Sequence, residues 1–577
     1  MSVAQRDHPG ALRRRFPDMG AETLILSALG LYVVVLCIWP LARLLATVFA
    51  DGAAEGIAFI AEVWSGRAAR RATWNTLEAS FLATIVSVLL GAATALIVAL
   101  TDLRYKVLLV FLLLLPLLIP PQISALAWLA MIGPQSPLWL IPGLEAVRPD
   151  RNPLLGRDGI VLVMGLEHAP MVFLAVRAAL RSLPADLIDA ARAAGSRPMG
   201  ALLRVILPLM LPAMTAGAAL AFVSAIGNFG VPALLGIPGR YPMLSTLIYQ
   251  RLSGFGPGAL PEVASLALIL AGMAVIGIAA QTLILRRHAA AVDRVGATHG
   301  GFALGRWFWP VTLAVWALML LIAVMPLVSL AASALVPSVG MRLTWQTLTF
   351  DNLIYVVTGL GSAQRAFVNS LFLAGTAAVI TVCVCAPLAW LMVARRSRVA
   401  QWLNVAADAP YVLPGIVLSI AVILVLLPPL PILGISLYNT IWILLFAYLA
   451  RFLALALRPV VAAMAQIDRA GEEAAQMAGA RPFHRLRTII LPLLAPALGA
   501  GAILVFLGAF SELTVSALLW SRGSETVGVV IFSLYDEGNS TAAAAVSVWV
   551  LAIILGLALA VSTLGRRLPE GVLPWRM

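Results

Sequence analysis

The chain has 577 residues, of which 62% are hydrophobic and only 11% charged, and its mean hydropathy is +0.99. Soluble domains carry about 25% charged residues, so this composition excludes a soluble globular protein and requires a polytopic membrane protein. The net charge of +13 is not read as nucleic-acid binding, because arginines gather on the cytoplasmic side of membrane proteins and fix their topology.

Arg13, Arg14 and Arg15 precede an apolar run that begins near Thr23. That run is too long for a signal-peptide core and has no clear small-residue cleavage site, so it reads as a first span with the N-terminus inside. Spanning helices need about 20 apolar residues. Suitable runs lie near 23–50, 73–101, 107–132, 158–181, 201–227 and 262–285. A polar stretch from Arg286 to Trp307 follows, and further runs lie near 308–336, 367–394, 402–428, 438–458, 486–511 and 541–565. The expected fold is all-α, with 12 transmembrane helices in two sets of six. The expected division is a tail at 1–22, a first half at 23–286, a linker at 287–306, a second half at 307–567 and a tail at 568–577.

Arginine placement supports cytoplasmic segments at 102–106, 182–200, 286–306, 395–401 and 459–485, with both termini inside. These hold Arg104 and Lys106, Arg192 and Arg197, Arg286 and Arg287, Arg395, Arg396 and Arg398, and Arg469, Arg481 and Arg485. Arg67, Arg70, Arg71, Arg240 and Arg522 are exceptions on the outer side. Cys37, Cys383 and Cys385 sit in apolar runs, with neither a disulfide framework nor zinc spacing.

The halves repeat each other. Asp189-Ala190-Ala191, Gly195, Arg197-Pro198, Ile206-Leu207-Pro208, Pro212 and Gly217 match Glu473-Ala474-Ala475, Gly479, Arg481-Pro482, Ile490-Leu491-Pro492, Pro496 and Gly501, all at an offset of 284. Earlier in each half, Arg71 to Leu77 matches Arg365 to Leu371, and Pro116 and Pro120 match Pro410 and Pro414, at an offset of 294. Six spans per half send both halves into the membrane in the same direction. The repeat is therefore parallel, about a pseudo-twofold axis along the membrane normal.

The loop at 189–208 is built to be a short, slim helix. Asp186 and Asp189 suit a helix N-terminus, the alanines favour helix, and Gly195 can take the left-handed position that ends it before Pro198. The second copy repeats this with Glu472, Glu473, Ala474, Ala475, Gly479 and Pro482. A slim exposed helix can enter a groove on another protein.

These residues resemble the cytoplasmic EAA loop of permease subunits of bacterial ABC importers, here present twice as in fused, two-half permeases. The resemblance implies the type I ABC importer transmembrane fold in the bacterial inner membrane. It also implies that Asp189, Ala190, Ala191 and Gly195, with Glu473, Ala474, Ala475 and Gly479, are coupling-helix residues that dock on two copies of an ATPase subunit. Asp189 departs from the usual glutamate and shortens one contact. A periplasmic substrate-binding protein is the other implied partner, beside the lipid bilayer. Lys106 is the single lysine and follows Tyr105, so the chain lacks the Gly-Lys of a phosphate-binding loop. ATP and Mg2+ are expected on the partner, no cofactor on this chain, and no enzyme activity.

Polar residues inside spans are functional candidates. Asn228 and Glu512 are equivalent at the 284 offset and are expected at the outer gate or as polar helix ends. Glu167 and His168 fall within the fourth span, where Glu167 either pairs with Arg177 or Arg181 or lines the path. Pro116, Pro120, Pro410 and Pro414 are expected to kink the third helix of each half. The stretches after Asn228 and Glu512 look like those of ferric-iron permeases, although no metal-ligand cluster accompanies them. Thiamine, polyamine and phosphonate importers remain open, as does an ion-gradient-driven transporter with two six-helix halves.

Overall fold

The structure is a computed structural model that describes residues 18–136, 139, 145–181, 190, 193–288, 302–430, 434–468 and 470–564. The first half contains α1 (Glu22–Val48), α2 (Ala53–Ser65), α3 (Arg67–Leu100), α4 (Lys106–Leu118), α5 (Pro121–Ile132), α6 (Arg157–Arg181), α7 (Met199–Gly227), α8 (Leu244–Phe255) and α9 (Leu260–His288). The second repeats that order as α10 (Gly305–Ala334), α11 (Asp351–Thr358), α12 (Gly361–Val393), α13 (Arg398–Val412), α14 (Gly415–Leu426), α15 (Ile441–Gln466), α16 (Ala470–Met477), α17 (Pro482–Phe510), α18 (Val527–Asp536) and α19 (Ser540–Leu564). Among the described residues the fold is all-helical, with 10 helices long and apolar enough to span, or up to 12 if each of two bent pairs counts as one span.

Those two pairs correct the expectation of kinked third helices. α4 and α5 meet at 110°, and α13 and α14 at 108°. These are breaks. Pro116 and Pro410 lie inside the first piece of each pair, while Pro120 and Pro414 form the joint. Ile119 and Leu413, each preceding a joint proline, are extended, with ψ of 128° and 146°. A residue before proline is driven out of the helical region, and the proline lacks the N–H to continue the ladder.

Proline also explains a second recurring irregularity. π-turns occupy Val34–Ile38, Leu202–Ile206, Pro232–Gly236, Leu320–Val324 and Leu486–Ile490. Each ends two residues before a proline: Pro40, Pro208, Pro238, Pro326 and Pro492. A widened turn moves backbone carbonyls away from the pyrrolidine ring that would otherwise clash with them. The Ile-Leu-Pro that follows both Ala-rich loops is thus a π-turn signal.

Each half's first helix packs on the other half. α1 lies along α13 and α14, and α10 lies along α5. Tyr32 of α1 donates its hydroxyl proton to the Leu449 carbonyl of α15 at 2.9 Å. Within each half, α7 or α17 crosses α6 or α15 closely. A Cβ at Gly217 would lie 2.9 Å from Val172 Cα, and one at Gly501 would lie 3.2 Å from the Ala456 carbonyl oxygen. Val172 and Ala456 are themselves equivalent, so both matched glycines serve one close approach.

Contacts at helix ends join segments that the arginine bias places on one side. Glu22 meets Arg395, and Asp102 accepts the Leu304 N–H. On the opposite ends, Arg157 meets Glu78 and Arg365 meets Glu525.

Candidate functional site

Asp189 and Ala191 of the first docking loop lie outside the described residues. Its described residues match the second copy at two points. The Ala194 N–H donates to Ala190 at 2.9 Å and the Ala478 N–H to Ala474 at 3.0 Å. Gly195 and Gly479 both have φ of +80°, the left-handed conformation that glycine adopts without steric penalty and that stops a helix. Ala190, Gly195, Glu473, Ala474 and Gly479 are exposed and Ala475 is half-buried. The two acids of α16 divide. Glu473 faces out, whereas Glu472 is buried and accepts the Trp390 Nε1–H at 3.0 Å. The equivalent residues Met199 and Phe483 are 63% and 64% exposed just beyond each loop, giving both loops an apolar rim.

Asn228 and Glu512 sit where α7 and α17 end, and they do the same local work. The Asn228 side-chain oxygen accepts the Val231 N–H at 3.1 Å. The Glu512 carboxylate accepts the Val515 N–H at 2.8 Å and the Ser516 N–H at 3.1 Å. Each caps the short helical turn that follows it. No hydrogen bond joins the two across the axis among the described residues.

Glu167 pairs with neither arginine suggested by sequence proximity. Its carboxylate accepts the Asn228 Nδ2–H at 3.2 Å. Arg177 lies ten positions along α6, about 15 Å away at 1.5 Å per residue, and stacks on Phe173 instead. Position 167 is equivalent to Arg451, whose guanidinium donates to the Leu413 carbonyl at 3.5 Å, so the acid–amide bond of the first half is not repeated in the second. His168 is buried on the next position of α6.

The broken helices close the centre. The Gln122 Nε2–H of α5 donates to the Ser511 carbonyl of the other half at 2.8 Å. In the equivalent place, a Cβ on Gly227 would lie 3.6 Å from Pro414 Cα. Phe229, Tyr249 of α8 and Phe532 of α18 form an aromatic triad with centroids 5.4, 5.6 and 6.1 Å apart.

The buried helices α8 and α18 are absent from the sequence-based expectation, which leaves these residues between spans. Their anchors belong to a motif seen there only as a repeat. Asn75 donates to the Pro242 carbonyl at 2.8 Å, and Asn369 to the Gly523 and Glu525 carbonyls at 3.0 Å. Thr76 accepts the Leu244 N–H and Ser370 accepts the Val527 N–H, both at 2.9 Å. The Asn-Thr and Asn-Ser pairs of α3 and α12 thus hold the N-termini of α8 and α18.

Among the described residues, no group of three or more His, Cys, Asp or Glu side chains could hold a metal ion.

The sequence matches the family described as binding-protein-dependent transport system inner membrane component over residues 87–289 and 386–568. It is 26% identical to the ABC transporter permease protein y4fN of Sinorhizobium fredii, over 92% of this chain and 94% of the relative. It is 23% identical to the Fe(3+)-transport system permease protein FbpB 2 of Haemophilus influenzae, over 74% of this chain and 77% of the relative. A 2-aminoethylphosphonate transport system permease protein, PhnV of Salmonella typhimurium, is 29% identical over 36% of this chain and 82% of its own length.

Proposed function

Since this chain belongs to the binding-protein-dependent transport system inner membrane components, matched in both of its halves, we propose that it forms the whole translocation path of an importer for ferric iron. The chain is the multi-pass inner-membrane permease of an ABC importer, and it works with an ATPase and a substrate-binding protein. It is not itself an enzyme. Family membership sets aside the ion-gradient-driven transporter.

The observation that carries the coupling part of the proposal is the duplicated docking loop. Both copies end on a glycine at φ of +80°, between helices that lead directly to the gate. Two ATPase copies closing on ATP press these loops. α7 and α17 transmit the movement to Asn228 and Glu512 at their far ends. The halves rock apart, the Gln122–Ser511 contact parts, and the path opens to the docked binding protein. Hydrolysis returns the halves to the closed contact and releases cargo inward. Both termini and the 287–306 linker lie on the cytoplasmic side in this scheme.

The choice of ferric iron rests on relatives that run through both halves. The ferric permease matches across 74% of the chain, whereas the phosphonate permease matches 36%. Ferric iron favours hard oxygen ligands. Glu167 and Glu512 offer carboxylates near the closure but are each engaged within their own half, so the path carries iron without a resting site and leaves selection to the binding protein.

The test is uptake by proteoliposomes holding the chain, its ATPase and its binding protein. Labelled ferric iron, 2-aminoethylphosphonate, molybdate, thiamine and a polyamine are offered in turn. ATP-dependent accumulation of iron alone is the expected result. Accumulation of another cargo without iron overturns the iron assignment and leaves the importer intact.

A further inference from the structure

The second docking loop is held from behind by residues of several elements. Behind α16 lies a cluster of charge whose residues are not repeated in the sequence of the first half. Arg485, at the start of α17, is completely buried and donates to Gln476 of α16 at 2.9 Å. Its Nε and Nη2 groups have no hydrogen-bond partner. Glu22, on the α1 arm contributed by the first half, lies 4.0 Å from Arg485 Nη2 and 2.7 Å from Arg395 Nη2. Arg395 stacks over Trp390 at 5.2 Å, and Trp390 holds Glu472 of α16. One carboxylate on a swapped arm thus reaches two arginines, and through them and their neighbours both ends of the docking helix.

A buried guanidinium with idle N–H groups is costly, and a carboxylate just beyond bonding distance is the group that would relieve the cost. About 1 Å of movement converts the 4.0 Å approach into a charge-assisted hydrogen bond. The first half does not repeat these residues in sequence. The positions equivalent to Trp390, Arg395, Glu472, Gln476 and Arg485 are Leu96, Thr101, Ile188, Arg192 and Ala201.

We propose that Glu22, Arg395 and Arg485 form an ionic latch that ties the second docking helix to the α1 arm, so that the two ATPase docks are mechanically unequal. Glu22 is a positioning residue, shared between Arg395 at rest and Arg485 when α16 is pushed. The second dock is stiff and transmits the stroke to both halves at once, because the arm belongs to one half and the helix to the other. The first half does not carry the residues for such a latch. The inference rests on the docking role assigned above.

The experiment compares deuterium exchange of segments 470–480 and 186–196 in wild type, Glu22→Gln and Glu22→Asp, each assembled with its ATPase in lipid nanodiscs. Glu22→Gln is expected to speed exchange of 470–480 several-fold, to leave 186–196 unchanged and to raise ATP hydrolysis in the absence of binding protein. Glu22→Asp, which keeps the charge, is expected to restore slow exchange. Unchanged exchange at 470–480, or equal acceleration of both segments, overturns the latch. Should Glu22→Gln fail to accumulate, Arg485→Lys keeps the charge, loses the forked geometry and is read the same way. Glu473→Arg runs beside them. Release of the ATPase by that variant supports docking independently of the latch, and its retention overturns the docking role.

Discussion

Tyr249 and Phe532 occupy equivalent positions in α8 and α18 and meet edge-on, with ring centroids 5.6 Å apart and planes at 85°. A residue touching its own counterpart lies on the pseudo-twofold axis. Opening the path along that axis must separate this pair. Such aromatic contacts are worth about 0.5–1.5 kcal/mol beyond area burial, which corresponds to a two- to roughly tenfold shift in the closed-to-open ratio. Tyr249→Ala with Phe532→Ala is expected to raise ATP hydrolysis without binding protein by about that factor. Unchanged hydrolysis contradicts a gate at this position.

Asn228 is the partner of Glu167, so exchanging its amide for a carboxylate sets two acids against each other in a buried site. Asn228→Asp is expected to lower the melting temperature of the detergent-solubilised protein, with a loss of at least about 1–3 kcal/mol. Asn228→Asp combined with Glu167→Gln restores one acid and one amide and is expected to recover most of the loss. Equal melting of the single and double variants contradicts the pairing.

Asn75 and Asn369 anchor equivalent helices by equivalent bonds. Asn75→Ala and Asn369→Ala are each expected to cost about 0.5–1.5 kcal/mol, the net worth of a typical hydrogen bond, since the carbonyls they serve are half-buried or exposed. Thr76→Val and Ser370→Ala remove the neighbouring cap at about 1 kcal/mol each. Urea-free thermal melts monitored by tryptophan fluorescence measure all four. A large cost in one half and none in the other contradicts the symmetric role.

Glu525 gives a pH dependence. Burial would raise its carboxyl, but hydrogen bonds from Arg365 and from backbone N–H groups, together with the Arg365 charge, outweigh it and hold the group below the usual carboxylate range. A depressed carboxylate contributes stability above its unfolded-state range, and that contribution disappears as pH falls through the folded-state value. Wild type is expected to lose stability on acidification more steeply than Arg365→Gln, with the curves converging at low pH. Parallel melting-temperature curves contradict the pair's contribution.

The repeat and the glycine stop of each Asp-Ala-Ala or Glu-Ala-Ala loop are legible because they depend on local sequence. Asp-Ala-Ala or Glu-Ala-Ala followed by glycine encodes a helix and its stop whatever surrounds it. Asn228 and Glu512 were found because polar residues stand out against apolar spans. The partner of Glu167 was not legible, because it is 61 residues away and sequence proximity favoured arginines on the same helix. α8 and α18 were missed for a different reason. At 12 and 10 residues they are too short to register as spans, and what fixes them is capping by Asn75, Thr76, Asn369 and Ser370 from distant helices. The exchange of α1 and α10 between halves left no trace in either helix alone, since an apolar surface does not name the surface it covers. The breaks at Pro120 and Pro414 were signalled by residue type, but their 110° and 108° angles were not, because proline ends a ladder without dictating where the next helix points.

The most direct test of the account is whether the 473 loop holds the ATPase. Glu473 is exposed on α16 and has no part in the buried cluster behind it, so Glu473→Arg reverses the charge at the dock while the bundle stays folded. The purified variant is to be compared with wild type for ATPase retention on a size-exclusion column and for ATP-dependent uptake in proteoliposomes. Loss of both, with a melting temperature equal to wild type, is the predicted result. Full retention of the ATPase with undiminished uptake would contradict the docking role on which the account stands.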